Sequence, residues 1–483
     1  MTLRLHDTRS RGLMTLDPIR PGHVGIYVCG PTVQAAPHVG HLRSAVALDV
    51  LHRWLLASGM AVTFVRNITD VDDKIIHDAA HAGEPWWALS TRMARAFDRA
   101  YDAVQVLPPT AEPRVTGHLP EIVGLVTDLV ASGAAYESGG DVYLAVRDVS
   151  TYGVLSGQSL DALRASEKPV PHGLTGAKRD PLDFALWKGA KPGEPSWPSP
   201  WGPGRPGWHI ECSAMAYAHL GAEFDIHAGG LDLVFPHHEN ELAQSSAAGH
   251  PFARLWLHHG LVTVAGGAGE KMSKSLGNST TVTDVLERVR PAVLRYALGS
   301  AHYRSQVEWS AQSLAEAEAA YGRIETFVRN ASVASEGGTE GATEGVTEGV
   351  TVDASLSKAS WEEFAAALDD DLGVPQALAC VHAGVRAGNA LLAAGELPAL
   401  AATLAEVRRM LRVLALDPVS QWPEAAGRAL PSVVDALVAL AVSARADARD
   451  RKDYAQADAI RDRLTTSGIV LEDTPDGVRW RLS

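Results

Sequence analysis

The chain has 483 residues, 46% hydrophobic and 21% charged, which accommodates roughly three to four domains with a sizeable core. Its formal net charge of −14 argues against a protein that coats nucleic acid non-specifically, though not against one that binds a structured RNA through a local patch. Three cysteines do not make a disulfide framework, no apolar run approaches the roughly 20 residues of a bilayer span, and residues 1–20 lack a signal-peptide core, so a cytoplasmic protein with available thiols and no membrane partner is expected.

Residues 24–29 read as a short buried strand, broken by Gly30-Pro31-Thr32. From His41 to Leu56 apolar residues recur at helical spacing (Leu42, Ala45, Val46, Val50, Trp54, Leu55), and residues 62–65 form a second, β-branched strand. Strand, helix, strand predicts a βαβ unit of a parallel sheet, with ligands at the strand ends near residues 29–41 and 67–73. Residues 115–165 predict two or three helices and a short hairpin. Residues 166–207, rich in Pro, Gly, Lys and Trp, predict a loop-dominated insertion, and regular pattern resumes from Trp208 to about residue 330. Three Thr-Glu-Gly-x repeats between Thr339 and Val350 make residues 335–353 an acidic flexible linker. Residues 358–416 carry the Ala/Leu periodicity of a small helical bundle, residues 430–467 predict a helix or helix pair, and residues 468–481 a hairpin around Pro475-Asp476-Gly477.

His38 and His41 flank Gly40 at a helix start, where backbone N–H groups attract phosphate and a glycine permits close approach. Two imidazoles there can donate to charge building on an α-phosphate, although ordinary histidines at a helix cap account for the motif alone. Lys271 and Lys274 lie in a second loop, Lys271-Met272-Ser273-Lys274-Ser275, whose ammonium groups can follow the β- and γ-phosphates and a departing pyrophosphate. Gly230 and Asp232, in Gly229-Gly230-Leu231-Asp232, combine a close backbone with a carboxylate suited to an adenosine ribose. Together these elements point to ATP-dependent adenylation. Cys29, Cys212, His237 and Glu241 offer two thiols, an imidazole and a carboxylate. They form either a four-ligand zinc set drawn from distant segments or buried cysteines beside a polar helix. Cys380 reads as core.

The paired motifs His38-Val39-Gly40-His41 and Lys271 to Ser275 resemble the HIGH and KMSKS signatures of class I aminoacyl-tRNA synthetases. Within that class, residues 27–33, 67–74, 207–215 and 235–241 look like cysteinyl-tRNA synthetase, and residues 452–462 and 468–481 look like the anticodon-binding end of that family. The resemblance implies that Cys29, Cys212, His237 and Glu241 hold one Zn²⁺ per chain that takes the thiolate of substrate cysteine. The family register favours His237 over His238. It further implies that Thr69 and Trp208 close over the substrate, that His38, His41, Lys271 and Lys274 are catalytic, and that Gly40, Gly230, Asp232 and Lys274 bind ATP. The implied architecture is an α/β Rossmann-type catalytic domain (1–120 and 206–265) with a connective insertion (121–205). A signature-loop, stem-contact region (266–334), the linker (335–353), a helical bundle (354–425) and a small α+β anticodon-binding domain (426–483) follow. The expected partners are L-cysteine, ATP with Mg²⁺, and tRNA(Cys), and a monomer is expected. Gln34 departs from the Tyr common in the family, a variation of the loop before His38 expected to leave activity intact. Two alternatives share parts of this pattern: a cysteine:amino-sugar ligase, which would lack the anticodon domain, and a non-catalytic tRNA-binding paralogue, which would show eroded signatures.

Overall fold

The chain begins with a hairpin, β1 (Arg4–Asp7) against β2 (Gly12–Thr15), and then enters the βαβ unit: β3 (His23–Val28), α1 (Val39–Ala57) and β4 (Ala61–Arg66). This computed structural model describes all residues except 1, 161–177, 265–279, 338–353, 421, 423–429, 475–476 and 483. It forms two compact units, one of Met1–Val285 with Val289–Pro423, the other of Leu286–Arg288 with Glu424–Ser483.

In the first unit, α2 (Asp73–Ala82), α3 (Trp86–Ala103) and α4 (Leu119–Ala131) follow the βαβ unit. The described part of residues 115–165 includes α4, two 3-10 turns and the hairpin β5 (Ala135–Ser138) and β6 (Asp141–Leu144). The stretch expected to be loop-dominated contributes two strands, β7 (Phe184–Gly189) and β8 (Gly204–Pro206), which extend the hairpin into an antiparallel sheet of order β5-β6-β7-β8. Proline and glycine hide these strands from a composition reading. β8 is a three-residue edge ending in Pro206, a position that tolerates the missing N–H, and the fully buried Trp187 anchors β7.

The chain then returns to the first sheet through α5 (Trp208–Leu220), β9 (Glu223–Gly230), α6 (Glu239–Ala247) and β10 (Phe252–His259). The sheet is wholly parallel, in order β10-β9-β3-β4. Both faces are covered, as βαβ crossovers require. Val24, Ile26 and Val28 share a core with Leu48, Leu51 and Leu55 of α1, while Tyr27, one residue out of phase, shares the opposite core with Ile210, Met215 and Trp256. Strand order reverses between β3 and β9, which opens a crevice at their carboxyl ends.

β11 (Val262–Val264), α7 (Pro291–Gly299) and β12 (Val307–Trp309) follow, β11 pairing with β12 in parallel. The bundle comprises helices Ala311–Gly337, Ala354–Asp369, Val374–Ala394 and Leu397–Leu414. The first of these reaches into the start of the expected linker, and residues 338–353 lie outside the described residues. Val374–Ala394 is long and apolar enough to cross a bilayer by length and composition, which the sequence reading did not find. Its Val374, Ala377, Leu378, Val381 and Val385 are buried in the bundle core.

In the second unit, helices Leu430–Asp450 and Tyr454–Thr466 precede the hairpin β13 (Ile469–Thr474) and β14 (Gly477–Leu482), as the sequence pattern predicts. Asp453 caps the second helix by accepting from Gln456 N–H at 3.1 Å.

Candidate active site

The first signature begins α1 with a reciprocal cap. Gly40 N–H donates to His38 Nδ1 and His38 N–H donates to His41 Nδ1, each at 3.1 Å. This starts the helix at Val39, two residues before the position at which the apolar spacing begins. With both Nδ1 atoms accepting, each neutral ring carries its proton on Nε2, so each is a donor. The rings stack with centroids 3.8 Å apart, and His41 packs edge-on against Phe97 at 4.9 Å. Burial, with His38 beside it, holds the His41 pKa well below the usual imidazole range. Gly230 ends β9, and Asp232 lies in the 3-10 turn Leu231–Leu233 that follows. A cavity of about 440 Å³ takes in His38, Gly40, His41, Gly230 and Asp232 and is continuous with Cys29, Thr69, Trp208, Cys212 and His237. Lys271 and Lys274 lie outside the described residues.

Cys29 follows the last residue of β3, Cys212 lies in the second turn of α5, and Glu241 is in the first turn of α6. His237 is not on the regular helix that the four-residue spacing suggests. It sits in a π-turn, Val234–His238, ahead of α6, yet its Nε2 still meets Glu241 Oε1 at 3.1 Å. Cys29 Sγ donates to the same oxygen at 3.2 Å. Potential ligand atoms of Cys29, Cys212, His237 and Glu241 all lie within 4.8 Å of one another. A second grouping, Cys29, His227, His238 and Glu241, satisfies the same distance. The sequence reading missed His227, whose Nε2 meets Glu241 Oε2 at 2.9 Å. It shares a strand face with Gly229, two residues on, and that is the signal by which it was findable. His238 bonds His258 Nε2 through its Nδ1 at 2.7 Å, while its Nε2 lies 3.9 Å from Glu241 Oε1.

The donor set fits a divalent metal of borderline softness. Burial, with Cys212 and Glu241 close by, pushes the Cys29 thiol pKa well up. The hydrogen bond from Cys29 favours the Cys212 thiolate, but burial and the Glu241 and Glu211 carboxylates outweigh it, and the Cys212 pKa is raised as well. The two buried thiols and the carboxylate are acidic groups whose ionised forms a bound cation would favour. His237 is kept neutral by burial and by His209 and His227. Its Nδ1 faces His209 Nδ1 at 2.9 Å, so a proton donated there leaves Nε2 free as a ligand atom. Burial and Lys188 lower His209 to about 3. Cys380 stands apart, half-buried in the bundle.

Trp208, the first residue of α5, stacks on the His237 ring at 4.3 Å. Thr69 is buried, donating to Glu211 Oε2 at 3.2 Å. The nearby aspartates are structural. Asp70 takes two hydrogen bonds from Thr116, Asp72 caps α2, and Asp73 pairs with Lys188 and Arg205.

A nucleotide-sized crevice at the switch point of a parallel sheet, entered by a capped histidine pair, has its counterpart in known proteins. Residues 15–319 match the family described as tRNA synthetases class I (C) catalytic domain, residues 363–416 the DALR domain, and residues 428–481 the cysteinyl-tRNA ligase anticodon binding domain. A methionyl-tRNA synthetase of Mycobacterium tuberculosis, solved with methionyl-adenylate, shares the fold at TM-score 0.59 and 18% identity over 84% of this chain and 92% of its own. The fold and crevice are those of a class I aminoacyl-tRNA synthetase. Cysteine–tRNA ligases of Streptomyces avermitilis and Streptomyces coelicolor are 53% and 54% identical over all of this chain, covering 99% and 76% of their own lengths. The chain belongs to the cysteine–tRNA ligase family.

Proposed function

We propose that this chain is an ATP-dependent ligase that converts L-cysteine and ATP to cysteinyl-adenylate and pyrophosphate, then transfers cysteine to the 3′-terminal adenosine of tRNA(Cys). The observation that carries this is the continuity of one cavity from the capped histidines of α1 to the two-cysteine cluster. The matched anticodon-binding domain speaks for tRNA as acceptor, and against an amino sugar. Cysteine carboxylate attacks the α-phosphorus in line and pyrophosphate departs. The Nε2–H groups of His38 and His41 and the N-terminus of α1 donate to the charge that develops, while Mg²⁺ accompanies ATP. Lys271 and Lys274 follow the β- and γ-phosphates. Gly230 and Asp232 hold the adenosine ribose. A 3′-terminal hydroxyl of tRNA then attacks the adenylate carbonyl and AMP leaves.

Cys29, Cys212, His237 and Glu241 would hold one Zn²⁺, with His227 and His238 as the competing pair. Bound there, the metal supplies a soft acceptor that takes a thiolate far better than a hydroxyl, a basis for separating cysteine from serine that an apolar pocket lacks. Trp208 holds the His237 ring and, with Thr69, walls the substrate end of the cavity. All three cysteines are free thiols, which supports a reducing, cytoplasmic setting, and we read the enzyme as a monomer.

The test is amino-acid-dependent exchange of pyrophosphate into ATP, followed by charging of bulk tRNA. Exchange with cysteine and charging of tRNA are expected. Exchange with serine in place of cysteine refutes the thiolate account, and cysteine exchange without charging refutes the acceptor.

A further inference from the structure

Arg43 follows His41 by two residues, yet it is buried, with 1% of its surface exposed. Among the described residues it forms no ion pair. Its guanidinium donates instead to backbone carbonyls of one turn, from Nη1 to Leu298 at 2.6 Å and Ala301 at 3.4 Å. Nη2 donates to His302 at 2.6 Å, Tyr303 at 3.1 Å and Ser305 at 3.4 Å. A buried cation without an anion is costly, so these carbonyls must stay aimed at it, and the turn is thereby fixed to α1.

That turn governs β11. It leads into β12, the partner of β11, and β11 is the strand that enters residues 265–279. The Tyr303 carbonyl accepts from Gly260 N–H at 2.8 Å, and Val307 N–H donates to Leu261 O at 3.0 Å. The contact at Gly260 has no room for a side chain, since a Cβ there would lie 2.3 Å from Ser305 O. From the bundle side Asp371 grips the same turn. It is buried, has φ 56°, and accepts from Tyr303 Oη at 2.6 Å, Arg304 Nε at 2.8 Å and His6 N–H at 2.8 Å. The other flank of residues 265–279 meets the start of α1 directly, through Val39 N–H to Thr280 O at 3.2 Å and Val282 N–H to Pro37 O at 2.9 Å.

Both flanks of residues 265–279 are therefore referred to the first two turns of α1, one by direct pairing and the other through Arg43. We propose that Arg43 is a positioning residue for adenylation, which holds β11 and the Leu261–Val262 wall of the cavity, beside Gly230, in register with His38 and His41 through the 298–305 turn, braced by Asp371. The inference rests on the ATP-dependent adenylation proposed above. It assigns the effect to ATP and not to cysteine, because Cys29, Cys212, His237 and Glu241 are carried by β3, α5 and the start of α6.

Two variants test it by pyrophosphate exchange. Arg43→Lys keeps a charge but reaches fewer carbonyls. Tyr303→Phe removes one bond to Asp371 and leaves Arg43 in place. The wild-type chain is assayed first, and no cysteine-dependent exchange there overturns adenylation itself, separately from any variant result. KM for ATP is expected to rise about tenfold in Arg43→Lys and about threefold in Tyr303→Phe, with KM for cysteine and bound metal unchanged. The double variant is expected to fall short of the product of the two effects, because both loosen one turn. A folded Arg43→Lys with the wild-type KM for ATP overturns the proposal, as does a parallel rise of both KM values in both variants. Should Arg43→Lys fail to fold, Tyr303→Phe decides by the same ATP-against-cysteine criterion.

Discussion

Gly207 offers a sharp perturbation of the site from outside it. Its backbone, φ −74° and ψ 150°, suits any residue, so alanine introduces no backbone strain. The obstacle is space, since a Cβ would stand 1.9 Å from the Ala185 carbonyl oxygen of β7. Reaching the 3.4 Å of ordinary contact demands a movement of about 1.5 Å. Gly207 N–H is bonded to Leu186 O at 2.8 Å, so the movement tears α5 from β7 at the helix start. Trp208 and Cys212 ride on that helix, while Cys29 and Glu241 do not. Gly207→Ala is expected to lower kcat/KM in cysteine-dependent pyrophosphate exchange by about a hundredfold, the effect of a misplacement near 1 Å. Bound metal should fall with it, at a stability cost of about 1–3 kcal/mol. Exchange, metal content and thermal unfolding are measured on one preparation. A variant that keeps both its metal and its exchange rate refutes the view that the β7–α5 junction sets the position of Trp208 and Cys212.

Three further outcomes are expected. Cys212→Ser replaces a soft donor by a hydroxyl and should cost at least about tenfold in metal affinity, with serine gaining against cysteine in exchange; metal titration and competition assays read both. His41→Ala should lower kcat of exchange by about a hundredfold with little change in KM for cysteine, as loss of a donor to developing charge predicts, and a raised KM with kcat unchanged contradicts its role. Burial alone would raise the Asp49 pKa, but the guanidinium charges of Arg295 and Arg53 and the Leu107 N–H hold it below the usual carboxylate range. Its stabilising share is therefore complete above about pH 4 and is lost as pH falls below. Asp49→Ala leaves Arg295 buried without its counter-charge and should cost about 3–5 kcal/mol at pH 7, measured by denaturant unfolding.

Patterns that repeat locally could be read from the chain. The apolar spacing of α1, the β-branched strands beside it and the hairpin of β13 and β14 are set by side chains a few residues apart, so the sequence carries them. The strands β7 and β8 escape such a reading, because short strands set in a Pro- and Gly-rich stretch acquire their conformation from a partner strand. Histidines escape for a related reason. His209 and His227 look like ordinary interior residues until their ring nitrogens are seen facing His237 and Glu241.

The sequence by itself determined the two signature motifs, the candidate ligands and the order of the elements that carry them, since each depends on residue identity and short spacing. Only the tertiary structure decided that Cys29, Cys212, His237 and Glu241 stand within 4.8 Å of one another, and that His227 and His238 form a second grouping around the same Glu241. The reason is topological. Placing β9 beside β3 brings residues two hundred positions apart to the carboxyl end of one sheet, at register Tyr27 to His227, and no local pattern encodes which strands become neighbours.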